Sequence, residues 1–364
     1  MLPIRNDHRA CQEFLPSEAS QPAHWLVGAV EVKPAHESNT RGTKQLWQIG
    51  IIWSAYMKRP TGPAQRHGIG EWYGKSFAKL SRAERRRFAE IQRLPKRDRP
   101  PVWCVAQGGR VYCTKEGGVC SLRLYEQSAE DSGARIAPGK AGRLVTTCPS
   151  RFAEQGVIYA WIGEEVLGNP NPAVVSEVGF LEREKGEAAG LVDEIAREDV
   201  GRIDNVLVLP DKDPLVWCAL EIQAVYFSGS AMSHEYKAIL EHEEHTVPFP
   251  AKHRRPDFRS SGPKRLMPQL QIKVPTLRRW GKKMAVVVDE SFFDALGEMT
   301  AVKHVSNADI AWFVVRYDES SGEAKLKPAF VHLTTLEHAV EGLTAGRPVS
   351  LDVFESRIKE KLGR

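Results

Sequence analysis

The sequence predicts an α/β protein in which helices flank a mixed sheet. A hairpin pattern covers residues 204–223, and apolar strand patterns return at residues 284–288 and 310–316. Helical patterns at residues 334–343 and 352–362 close the chain. Apolar runs rich in β-branched and aromatic residues favour strands, and helices pack on the sheet that such strands form. We therefore expect these strands to share one sheet.

Length and composition indicate a globular protein. The chain has 364 residues, 42% hydrophobic and 27% charged, so one large domain or two smaller ones are expected. Its net charge of +5 permits a polyanionic partner without requiring one. A membrane span is not expected, because no run approaches the roughly 18 apolar residues that a span needs. Residues 1–9 lack the apolar core of a secretory leader, so we expect a cytoplasmic protein.

The first part of the chain, residues 1–100, is interpreted as an N-terminal extension of unknown role. Ser81 and Glu84 form a capping-box pattern, which predicts a helix that begins there and ends near residue 94. The arginines of this helix face either a DNA backbone or only solvent. The proline-rich residues 95–101 cannot extend a helix, so they mark a boundary.

Four cysteines in residues 101–150 predict a small metal-binding subdomain. Glycine pairs nearby suit tight loops around an ion. Clustered cysteines in an intracellular chain suggest a metal, although buried unpaired cysteines give the same pattern. Four thiolates bind Zn²⁺ or iron tetrahedrally, and such a closed site stabilises rather than catalyses. The four are Cys104, Cys113, Cys120 and Cys148.

The predicted hairpin places two carboxylates and an amide at one end of its strands. If the strands fold symmetrically about Lys212, Asp204 lies opposite Leu220, one residue from Glu221. Because strand side chains alternate, Glu221 and Gln223 share a face, and a register shift of one residue decides whether Asp204 joins them. Adjacent buried carboxylates repel each other, and Mg²⁺, which prefers oxygen ligands, removes that repulsion. The alternative is a solvated hairpin end.

After the hairpin the sequence becomes strongly basic. Residues 252–283 contain eleven Lys or Arg residues and one acid, Asp257. Interleaved aromatic and serine residues make this segment a candidate for contact with DNA phosphates. The alternative is a solvated loop and helix. The candidate contacts are Arg254, Arg255, Arg259, Lys264 and Arg265.

Two sequence patterns carry a resemblance to a known family. The spacing of Asp204, Glu221 and Gln223 on a strand pair resembles the PD-(D/E)XK nuclease core, with Gln223 where most members have lysine. Residues 220–230 and the cysteine pattern of residues 113–120 resemble the restriction endonuclease NotI and its relatives.

The resemblance implies a fold and a domain division. It runs from about residue 104 to residue 315 and implies a PD-(D/E)XK nuclease domain over residues 151–364. It also implies that the ion held by the four cysteines is a structural iron, whereas their chemistry alone equally allows zinc.

The resemblance further implies roles for the site residues. Asp204 and Glu221 would hold a catalytic Mg²⁺, and Gln223 would orient the attacking water. Glu177 is a lone carboxylate among apolar neighbours, which usually marks a paired or ligating group. It aligns with a carboxylate that the family places near its metals, and it would hold a second metal or the water network. Alternatives remain open for both acids; they are Asp199 and Asp211 for the aspartate, and Glu182, Glu184 and Glu187 for Glu177.

We therefore predict a Mg²⁺-dependent type II restriction endonuclease that hydrolyses double-stranded DNA at a specific, palindromic site. A palindrome cutter brings two active sites to one duplex, so a homodimer is expected. One alternative is a DNA-binding protein that keeps the fold without catalysis, which a cleavage assay would distinguish. The other is a repair or defence nuclease without a palindromic site, which the quaternary state would distinguish.

Overall fold

The computed structural model describes residues 63–104, 108–128, 133–184, 197–346 and 349–363 of the chain. All of them belong to one compact unit, Gly62–Arg364. Of the N-terminal extension expected from the sequence, residues 1–62 lie outside the described residues.

The described residues form strands in three sheets and helices between them. The strands are β1 (Gln65–Trp72), β2 (Lys75–Ser76), β3 (Val119–Gln127), β4 (Ala134–Ile136), β5 (Val145–Thr146), β6 (Ala173–Glu184), β7 (Arg197–Leu209), β8 (Val216–Ile222), β9 (Phe227–Gly229), β10 (Arg254–Pro256), β11 (Met284–Asp289), β12 (Ile310–Asp318) and β13 (Lys325–Thr334). The α-helices are α1 (Arg82–Arg93), α2 (Val157–Ile162), α3 (Ser233–Glu241), α4 (Phe258–Ser261), α5 (Met267–Arg279), α6 (Glu290–Asp294), α7 (Leu336–Thr344) and α8 (Leu351–Lys361). A π-helical turn, Gly262–Leu266, joins α4 to α5.

The largest sheet is mixed, as the sequence predicts. Within the described residues it has six strands in the order β13-β12-β11-β8-β7-β6. β8, β11 and β12 run parallel, and the remaining pairs are antiparallel. The parallel strands are mainly apolar because both of their faces are covered. β11, for example, is buried at every position.

Helices cover both faces of this sheet. The side chains of β11 alternate, so that Val286 packs in one apolar cluster and Val287 in the other. α5, α6 and α7 contribute to the cluster that contains Val286. α2 contributes to the cluster that contains Val287. The predicted mixed α/β architecture with flanking helices is therefore confirmed.

A second sheet lies before the large one in the chain. Its order is β2-β1-β3-β4, with β5 also paired to β3. α1 and α3 pack on it through Phe88 and Tyr236, which share its apolar cluster. α1 begins as predicted, because Ser81 and Glu84 exchange side-chain and backbone hydrogen bonds in a capping box. No helix in the described part of the chain is long and apolar enough to cross a membrane.

Candidate active site

The predicted hairpin forms from β7 and β8, and its register brings the two carboxylates together. The strands pair with Asn205 opposite Leu220, so the next position places Asp204 opposite Glu221. A hairpin symmetrical about Lys212 would have placed Asp204 opposite Leu220. The observed register differs by one residue, and this difference puts both carboxylates on one face of the sheet.

The two carboxylates differ in exposure. The side chain of Glu221 is 3% exposed and that of Asp204 is 48% exposed. β8 lies between β7 and β11, which explains the burial of Glu221. Burial raises the pKa of Glu221 to about 7; the ammonium of Lys273 opposes this rise and the carboxylate of Asp204 adds to it. The Glu221 carboxyl is therefore only partly ionised near neutral pH, and a bound cation would favour its charged form.

Lys273 is the residue of this site that the sequence interpretation missed. Its Nζ donates to Oε2 of Glu221 at 2.8 Å and to Oε1 of Gln269 at 2.8 Å, and lies 3.5 Å from Oδ1 of Asp204. From the sequence it counted only as one more cation of the basic segment. A signal was present, because Leu270 and Val274 mark the buried face of α5 and Lys273 falls on that face.

These groups surround a cleft of about 570 Å³. Asp204, Glu221 and Gln223 line it together with Arg265 and Gln269. Gln223 is buried, and its Nε2 donates to the backbone carbonyl of Ala224 at 2.5 Å. The cleft therefore combines two acidic groups and an amide with a cation at its wall. Such a set of oxygen ligands suits a hard divalent cation.

Glu177 is placed apart from this cleft. It lies on β6, where the register of the flanking pairs puts it opposite Asp204. Its side chain is 69% exposed and faces Arg202 across 3.4 Å. It does not line the cleft that contains Asp204 and Glu221. Its backbone φ of 59° is unusual for a residue other than glycine.

Comparison with protein families decides the class of protein. The family model described as restriction endonuclease NotI matches residues 91–327. The chain belongs to the NotI restriction endonuclease family. It is therefore a restriction endonuclease, a hydrolase that cleaves DNA, and the predicted resemblance is confirmed. The match to the NotI family includes the whole hairpin, the cleft acids and Lys273. Among curated proteins, no match to the chain is found.

One of the basic residues assigned to DNA must be corrected. Arg254 is buried, and its Nη1 donates to Oε2 of Glu235 at 2.6 Å. Its Nε and Nη2 donate to the backbone carbonyls of Ser230 and Ala231 at 3.0 and 2.9 Å. Because every arm of the guanidinium is used inside the protein, Arg254 does not present a free charge to DNA.

The other four candidate contacts are exposed. They are Arg255, Arg259, Lys264 and Arg265. Arg265 lies beside the cleft, with its guanidinium 3.6 Å from the centre of the Tyr226 ring. A stacked arginine of this kind keeps its charge directed outward at low conformational cost. Arg265 can therefore meet a phosphate next to the cleft acids.

The four predicted metal cysteines lie close together. All four line one small cavity of about 180 Å³, and none of them forms a disulfide. Burial raises the pKa of Cys113, and that of Cys120 well above its usual value. No group of three or more His, Cys, Asp or Glu side chains among residues 63–363, as far as they are described, is arranged to hold a metal ion. The predicted metal-binding subdomain is therefore not confirmed.

Proposed function

We propose that the chain is a Mg²⁺-dependent type II restriction endonuclease that hydrolyses double-stranded DNA at a specific, palindromic site. The observation that carries the Mg²⁺ assignment is the pair of opposed carboxylates, Asp204 and Glu221, in the 570 Å³ cleft. The family membership supports DNA as the substrate. Four exposed cations of the basic segment, of which Arg265 lines the cleft, supply the charge that a polyanion requires.

In this proposal Asp204 and Glu221 hold the metal ion. The pair fits Mg²⁺, because both groups offer carboxylate oxygens and the cost of burying Glu221 falls when a cation neutralises it. Mg²⁺ in such a site lowers the pKa of a bound water and offsets charge on the phosphate. Gln223 orients the attacking water. Its amide accepts and donates hydrogen bonds but takes no proton, so it does not act as a base.

The proposed role of Glu177 in cleavage is a minor one. Its register position opposite Asp204 supports a role in the water network beside the metal. Its exposure and its pairing with Arg202 argue for a small contribution.

The quaternary structure follows from the proposed palindromic site. A palindromic site requires two active sites related by two-fold symmetry, so the active form is a homodimer on DNA. Analytical ultracentrifugation with and without a short duplex tests this. A single copy on the cleaved duplex would rule out the palindromic assignment.

The test of the metal site replaces each carboxylate by its amide. Asp204→Asn and Glu221→Gln should each lower the rate of Mg²⁺-dependent cleavage about 10³-fold, the equivalent of about 4 kcal/mol. Binding to the same DNA should change little. Asp211→Asn is the matched control, because Asp211 is an exposed aspartate in the turn of the same hairpin. Full cleavage by either amide variant would remove that residue from the site.

We also propose that the four cysteines hold one structural iron or zinc ion. Their shared cavity supports this, and so does their chemistry. Burial disfavours the thiolates, and a bound cation reverses that preference. Binding of a structural ion contributes to folding, so Cys120→Ser should lower metal content and thermal stability together. Cys218→Ser, at a buried cysteine outside this cavity, is the control. Elemental analysis that finds neither metal in fully active protein would contradict the proposal.

A further inference from the structure

The two carboxylates of the cleft lie close together, so a protein cation beside them affects how they are held. Two carboxylates face each other across β7 and β8, and a DNA phosphate would add more negative charge. Gln223 lies two residues after Glu221, one residue past the end of β8, and carries no charge. Among the residues that the structure describes, the cation that contacts either carboxylate is Lys273.

The three contacts of Lys273 all point to this site. Its Nζ donates to Glu221 and Gln269 and lies close to Asp204. All three of these residues line the cleft. A lysine ammonium has three donors, so the site uses its full hydrogen-bonding capacity.

The helix itself gives Lys273 no structural reason to be charged. Its neighbours on the buried face of α5 are Leu270, Val274 and Leu277, which pack against the sheet. An apolar side chain would satisfy that face without the cost of burying an ammonium. The residue is only 5% exposed, so it also makes a poor contact for DNA.

We propose that Lys273 is a positioning residue for DNA cleavage, and that helix α5 supplies through it the fixed cation that Gln223, just after strand β8, does not provide. Lys273 fixes the orientation of the Glu221 and Asp204 carboxylates and sets a positive charge behind them. The cleavage rate depends on where the charge lies relative to these carboxylates, and not on whether a helix or a strand carries it. This inference rests on the proposed Mg²⁺-dependent cleavage.

A charge-swap experiment tests the inference. Lys273→Met keeps an unbranched side chain, one atom shorter than lysine, and removes its charge. It should lower the single-turnover cleavage rate at saturating Mg²⁺ and DNA about 100-fold, and change DNA affinity less than about threefold. The double variant Gln223→Lys/Lys273→Met places a positive charge at residue 223 instead. It should cleave DNA at least about tenfold faster than Lys273→Met does. Lys237→Met, at an exposed lysine paired with Glu241 on its own helix, is the matched control and should cleave as the unmodified protein does.

Thermal unfolding of each variant distinguishes positioning from folding. The double variant keeps methionine in α5, so any loss of packing persists in it. Recovery of cleavage without recovery of thermal stability supports the inference. Recovery of both, or of neither, overturns it.

The unmodified protein separates failure of the inference from failure of the proposed function. If it cleaves DNA with Mg²⁺ and Lys273→Met cleaves equally fast, only the role of Lys273 is wrong. If the unmodified protein does not cleave, the proposed function and the inference fail together.

Discussion

Two buried ion pairs in this protein look alike and differ in what surrounds them. Glu235 meets Arg254 at 2.6 Å, and Glu221 meets Lys273 at 2.8 Å. Burial raises the pKa of both glutamates, and in each case the nearby cation opposes that rise. The remaining donors of Arg254 bind backbone carbonyls, whereas those of Lys273 point to side chains that line the cleft.

The groups around a buried ion pair decide whether it can bind a further ion. The Glu235–Arg254 pair is closed, because backbone groups complete it and it ties β10 to α3 and its preceding loop. The Glu221–Lys273 pair is open, because a second carboxylate, half exposed, lies beside it. A closed pair has nothing left to bind. An open pair with excess negative charge favours a further cation.

The largest expected effect is loss of stability when the closed pair is broken. Arg254→Ala leaves Glu235 buried without its cation, so the free energy of unfolding should fall by about 3–5 kcal/mol. Denaturant unfolding measures this. Arg255→Ala is the matched control, because this exposed neighbour should change stability by less than about 0.5 kcal/mol. Equal unfolding midpoints for the two variants would mean that the pair does not stabilise the fold.

The next effect concerns the exposed cations outside both pairs. Neutralising Arg255, Arg259 and Lys264 should weaken binding to any DNA sequence. The slope of log affinity against log salt should become shallower by about 0.9 for each phosphate that the protein no longer neutralises. Arg357, Lys359 and Lys361 on α8 give a control set of equal charge. If both sets change the slope equally, the basic segment has no special contact with DNA.

The pKa of Glu221 predicts a smaller effect, on the Mg²⁺ requirement. Because this pKa is about 7, the protonated carboxyl competes with the metal below pH 7 and does not compete well above it. The Mg²⁺ concentration for half-maximal cleavage should therefore rise about tenfold from pH 8 to pH 6. Titrations of Mg²⁺ at pH 6, 7 and 8 measure it. A constant requirement across this range would show that Glu221 is not a ligand that must lose a proton.

The hairpin shows how much of the site could be predicted from the sequence. Local composition predicts the two strands and places Asp204 within one residue of facing Glu221. The register depends on the turn and on the neighbouring strands, so it emerged only in the fold. β11 and β12 were predictable for a simpler reason, since strand segments buried on both faces are mainly apolar.

Lys273 and Arg254 show what local pattern does not reveal. Both belong to one basic segment, and their charges look equivalent in the sequence. Their partners lie 52 and 19 residues away in the chain, on other elements. Helical spacing shows that Lys273 faces the core, but only tertiary contact identifies the acid it meets.

The smallest expected effect belongs to Glu177, the carboxylate outside both pairs. Its ion pair with Arg202 is exposed and 3.4 Å long, so its loss should hardly change stability. Because Glu177 acts on the water network from a neighbouring strand, it contributes less to the cleavage rate than a metal ligand does. Glu177→Gln should therefore lower the cleavage rate by about tenfold or less. Glu165→Gln, at another exposed glutamate, is the control. If the two variants cleave DNA equally fast, Glu177 is an ordinary surface residue, and the open pair with Asp204 accounts for the acidic groups of the site.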